Sequence, residues 1–207
     1  MDKLVEALSH DDFMASMSLH KMTVLRDDEL YKHIRFAAPN EFENAFEVMS
    51  FPYHVLITGD MGCYTFSREK DMFEWFVKGH CAPIKRPEIE VSRWFAKMVS
   101  KDAAISAKHY YLPAVIESIE EAKSNYTEGR GDCSLEVEQF NELLEWKEYG
   151  AEKLLDEMQE FYLDSISVSP FQDLERDCYE VYSTHFVWCC YALNYGIGTY
   201  RKQTLFI

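Results

Sequence analysis

Four polar side chains on or beside predicted strands, His33, Arg35, Asp60 and Arg68, have the types that an acid–base or ion-pair cluster requires. If three strands brought them to one sheet face, Arg35, Asp60 and Arg68 would form the catalytic or ligand-binding set of a small enzyme or ligand binder. Structural ion pairs at sheet edges use the same residue types, so the pattern favours a structural role. Cys63 follows a glycine and lies near His54 in sequence, but a nucleophilic pair needs an orienting third group, and none is indicated. His185 and Cys189 stand four residues apart, a spacing that can place two ligands on zinc, and His80-Cys81 could add to them. Closed zinc sites show tighter ligand pairs, so His185 is expected as a hydrogen-bonded core histidine and no metal or other cofactor is expected. Gly59-Asp60-Met61-Gly62 fits neither phosphate-loop pattern, lacks a lysine and carries an acid that repels phosphate, so it reads as a plain hairpin.

The charge pattern holds more. The net charge is −15, and residues 114–180 carry 19 acidic against 5 basic side chains. Few of these acids have a basic partner at helical spacing, and the excess is greater than solubility asks for. Rows of carboxylates on rigid helices offer charge to a basic groove much as phosphates do, and they repel DNA and RNA. The candidate partner-binding residues are Glu136, Glu138, Glu142, Glu145, Glu148, Glu152, Asp156 and Glu160. The partner they imply is a basic groove of a nucleic-acid-binding protein, with no direct contact to nucleic acid. Arg130-Gly131-Asp132 matches an adhesion tripeptide but is better used as the turn before a helix capped by Ser134.

The elements that must carry these groups divide into two halves. Residues 1–32 read as short helical pieces, with Phe13, Met14 and Met17 in a methionine-rich run. Strand patterns follow over 33–36, 45–51 and 53–58, then a hairpin at 59–62 into a strand over 63–68. Asp71 with Glu74 begins a helix, and a second helix is expected over 90–98, burying Val91, Trp94, Phe95 and Met98. Pro113 fits the first turn of a helix whose stripe is Val115, Ile116, Ile119 and Ala122. A helical tract from Ser134 to Tyr162 keeps its apolar spacing across Gly150, as one bent helix or two, and the region from Cys178 to Leu193 reads as the most buried helix. The expected fold is α+β, with a small antiparallel sheet of three or four strands over about 33–68 covered by helices and a mainly helical acidic C-terminal half. A single domain over 1–207 is the simplest organisation, with a sheet–hairpin–helix part at 33–78 and a helical part at 113–202.

With 207 residues, 47% hydrophobic and 15% aromatic, the chain can bury a substantial core. Its strongly apolar stretch Phe186 to Leu193 is short for a membrane span, no secretory apolar region follows Met1, and the six cysteines show no C-x-x-C pair. These features predict a cytoplasmic chain with reduced thiols. Exposed aromatics leave room for a homodimer.

The segments Gly59 to Arg68, Asp71 to Phe76, His33 to Phe36 and His185 to Leu193 resemble those of small accessory proteins of bacteriophages and prophages. The resemblance implies a phage gene product acting in the host cytoplasm, and it carries over no catalytic residues. By analogy with acidic phage proteins that occupy host nucleic-acid machinery, the expected function is non-enzymatic: inhibition of a host defence complex, such as a CRISPR effector, by a nucleic-acid-mimicking surface.

Overall fold

The computed structural model describes residues 8–39, 42–76, 91–101, 105–163 and 169–204. In chain order its elements are α1 (His10–Ser16), β1 (Lys21–Asp28), β2 (Tyr31–Ala37), β3 (Phe46–Phe51), β4 (His54–Gly59), β5 (Gly62–Ser67), α2 (Met72–Trp75), α3 (Val91–Phe95) and β6 (Met98–Lys101). There follow β7 (Lys108–Tyr110), α4 (Leu112–Thr127), α5 (Ser134–Glu145), α6 (Ala151–Glu160), β8 (Glu180–Tyr182) and α7 (Thr184–Thr204). The chain forms two compact units, one from Met1–Lys108 and Tyr182–Ile207 and the other from His109–Val181. The second unit is therefore an insertion in the sequence of the first.

The first unit is built on one antiparallel sheet whose spatial order, β1 to β6, is its sequence order. Alternation along the strands buries Ile34, Phe36, Phe46, Val48, Val55, Ile57, Tyr64 and Phe66 on one face. Helix α7 lies against that face. Phe186 meets Tyr64 with ring centroids 5.1 Å apart, Trp188 meets Phe46 at 5.6 Å, and Tyr195 meets Phe36 at 5.5 Å. Gly196 permits this approach, since a Cβ there would sit 3.3 Å from Phe36 and 3.4 Å from Phe46. At the end of α7, the Tyr200 hydroxyl donates to Asp27 on β1 at 2.7 Å, and Arg201 pairs with Glu74 of α2. Burial, reinforced by the bond to Asp27, pushes the Tyr200 phenol above its ordinary range.

The chain is α+β, but the expectation of a small sheet of three or four strands over about 33–68 is overturned: six strands run from Lys21 to Lys101. β1 occupies part of a stretch that reads as helical pieces, and α1 is the one helix among the described residues of that stretch. The helix expected over 90–98 stops at Phe95, and Met98 opens β6 against β5. The hairpin is as expected, with Gly59 paired to Gly62 around Asp60-Met61. Gly59 is required by closeness rather than by the turn, because a Cβ there would lie 2.2 Å from the Ala45 carbonyl oxygen. Asp71 caps α2 by accepting the Glu74 N–H at 3.1 Å.

In the second unit, α4, α5 and α6 bury Val115, Ile119, Phe140, Leu143, Leu144, Leu154, Leu155 and Met158 around a separate core. Pro113 occupies the first turn of α4. The tract from Ser134 is two helices, joined by a tight 3-10 turn over Trp146–Tyr149 and by Gly150 at φ 94°, a left-handed angle suited to glycine. Ser134 is the first residue of α5 rather than its cap; Asp132 accepts the Ser134 N–H at 3.1 Å. That bond holds the Asp132 carboxyl below its ordinary range. The tripeptide thus serves as a turn, with the Arg130 guanidinium 4.0 Å over the Tyr126 ring. Among the described residues, no helix is long and apolar enough to cross a membrane.

Candidate functional site

The acidic block of the sequence is a structural unit. The unit His109–Val181 carries 19 acidic and 5 basic side chains, a net of −14, while the rest of the chain carries 17 and 16, a net of −1. Self-repulsion of this size opposes compaction, so the apolar core described above must offset it.

On α5, Phe140, Leu143 and Leu144 point into the core, which leaves Glu138, Glu142 and Glu145 exposed at four- and three-residue spacing on the opposite face. Glu148 continues the exposed acids through the 3-10 turn. On α6, the buried stripe Ala151, Leu154, Leu155 and Met158 sends Glu152, Asp156 and Glu160 outward. Among the described residues, Glu138, Glu142, Glu145, Glu148, Glu152 and Glu160 form no ion pair. Asp156 is different, because Arg176 donates to its carboxylate at 2.6 Å. Glu136 is also different: it is half-buried on the flank of α5, and the Tyr126 hydroxyl donates to it at 3.5 Å. Six of the eight expected residues thus remain open carboxylates.

Two further residues stand among them. Trp146 and Tyr149 lie in the turn between α5 and α6, 36% and 73% exposed, with ring centroids 5.4 Å apart. Lys153 covers one side of Trp146 at 4.9 Å. Sequence reasoning had passed over this pair, although two aromatics between Glu145, Lys147 and Glu148, off the apolar stripe of α5, were a readable signal.

The alternative cluster does not assemble. Asp60 sits at the hairpin, where it accepts the Asn44 N–H at 3.0 Å, and Arg68 follows the opposite end of β5. A strand of that length separates them by roughly 20 Å. Instead, His33 and Arg35 on the sheet face away from α7 converge on Glu47, a residue missed from sequence. His33 Nε2 lies 2.6 Å from Glu47 Oε2 and Arg35 Nε lies 3.8 Å from Oε1. The β2–β3 register makes this pairing, since it sets Arg35 opposite Glu47. The result is one hydrogen bond and one ion pair meeting on Glu47 at a partly exposed face.

The cysteine and histidine candidates also separate. Cys63 pairs with Thr58, whereas His54, at the other end of β4, stacks on Phe51 and bonds the Pro52 carbonyl at 3.1 Å. His185 is exposed on α7, not a core histidine, and Cys189 is buried with its thiol donating to the Met61 carbonyl at 3.6 Å. Burial pushes the Cys189 thiol up, away from nucleophilic character. Among the described residues, no group of three His, Cys, Asp or Glu side chains is arranged to hold a metal; His80 and Cys81 lie outside those residues.

Comparison with known proteins adds nothing to this geometry: no protein-family model, curated protein or solved structure matches the chain.

Proposed function

We propose that the inserted acidic unit is a nucleic-acid-mimicking surface by which a phage-encoded, non-enzymatic inhibitor occupies a basic groove of a host nucleic-acid-binding defence complex, a CRISPR effector or one of similar chemistry. The observation that carries the reading is the coincidence of a −14 charge with one compact unit, beside a remainder of −1. Charge needed only for solubility has no reason to concentrate in one unit. Its rigid setting adds to this, because carboxylates fixed on helices with a packed core lose little freedom when they meet cations. Trp146 and Tyr149 supply what carboxylates lack, namely apolar area that gains free energy on burial, and aromatic anchors dominate many interfaces. They also offer flat faces to arginine guanidinium groups.

Mimicry implies mutual exclusion. A partner captured from bacterial lysate on the immobilised protein is expected to be released by short duplex DNA or RNA at constant ionic strength. A partner that holds nucleic acid and this protein together would contradict mimicry of its groove.

A further inference from the structure

We propose that β1 is a self-pairing edge through which two copies of the chain form a two-fold dimer, joining their sheets in antiparallel register with Lys21 of each copy opposite Asp28 of the other. Among the described residues β1 ends the sheet, and every one of its residues except Met22 is exposed, including Val24 at 43% and Leu25 at 51%. An open edge with apolar residues at its centre is a template for another strand. The occupant is indicated by the order of charges in Lys-Met-Thr-Val-Leu-Arg-Asp-Asp, which is basic at its start and acidic at its end. A two-fold axis between Val24 and Leu25 sets Lys21 opposite Asp28, Met22 opposite Asp27, and Thr23 opposite Arg26, twice over.

The bulge in β1 makes this register available. In a regular strand, Lys21 and Asp28 are an odd number of residues apart and face opposite sides of the sheet. The pairing with β2 slips between Val24 and Arg26, so Lys21, Thr23, Arg26 and Asp28 oppose Ala37, Arg35, His33 and Tyr31. All four of those β2 residues belong to the face away from α7. Lys21 and Asp28 are thereby brought to one face and to one phase of backbone hydrogen bonding, as a cross-strand ion pair requires. Val24 and Leu25 meet their counterparts at the axis.

Sedimentation equilibrium of the full chain tests the register. The unaltered protein is expected to dimerise, and Lys21→Glu or Asp28→Lys alone to weaken the dimer by about tenfold or more, since each turns two attractive pairs into repulsive ones. Asp28→Lys also removes the exposed Arg26–Asp28 pair at 2.9 Å within β1, so Lys21→Glu is the cleaner of the two. An equimolar mixture of the two single variants regains the affinity, because both ion pairs re-form in the mixed dimer. The double variant regains it by itself and keeps the test open if either single variant folds poorly, which far-ultraviolet circular dichroism reports. A monomer up to about 0.1 mM, a dimer indifferent to the single changes, or a loss that neither mixing nor the double variant reverses would overturn the proposal.

Discussion

Converting Glu142, Glu145 and Glu152 together to lysine is expected to abolish capture of the basic partner, with a loss of affinity of at least about 100-fold, while leaving the fold intact. All three are exposed, and none forms an ion pair among the described residues, so replacing them breaks no ion pair there. Reversal also relieves repulsion within a unit of −14, so thermal stability should hold or rise slightly. Against a basic groove, each change removes an attraction and adds a repulsion of similar size, and close charge pairs across interfaces couple by about 1.5–7 kcal/mol. The affinities of the variant and the parent, measured at one ionic strength, check this. Binding that survives the triple change would mean that charge does not direct recognition.

Replacing Phe186 with alanine tests a different part of the molecule and should cost about 3–5 kcal/mol of stability. Phe186 is fully buried at the start of α7, where its ring meets Tyr64, Phe66, Phe95 and Tyr182. The sheet cannot readily close over the space left, because the surrounding side chains belong to different strands and helices with fixed register. Denaturant unfolding followed by tryptophan fluorescence should show the midpoint falling accordingly. An unchanged midpoint would mean that α7 does not close the sheet core.

The parts of this architecture that were readable in advance are those governed by neighbours in sequence. The Gly59–Gly62 hairpin, the Asp71 cap, Pro113 in the first turn of α4 and the Val115–Ile119 stripe all depend on local backbone chemistry or helical period. β1 was hidden because it is exposed on both faces, so Lys21–Asp28 shows no alternation. β6 was hidden because Met98 continues the apolar spacing of α3. The insertion showed in the sequence as an acidic block, but its boundaries left no mark, since the chain leaves and re-enters the first unit through β7 and β8 rather than through a glycine- or proline-rich linker.

The candidate sites divide in the same way. The outward stripe of Glu138, Glu142 and Glu145 follows from helical period alone, and it was legible. The fates of Asp156, paired with Arg176 twenty residues on, and of Glu136, turned toward Tyr126, were set by tertiary packing. The His33–Arg35–Glu47 cluster depends on strand register, which is a property of the sheet, and Asp60 and Arg68 were kept apart by the length of a single strand.

The central claim, that the inserted unit engages a basic nucleic-acid groove through charge, is tested most directly by capturing partners from a bacterial lysate on the tagged 207-residue chain at low and at high salt. The account predicts recovery of a nucleic-acid-binding complex at low salt and its loss at high salt, because screening at about 1 M salt shortens the reach of these charges to roughly 3 Å. Recovery of no such complex at either salt, or of one whose binding is indifferent to salt, would contradict it.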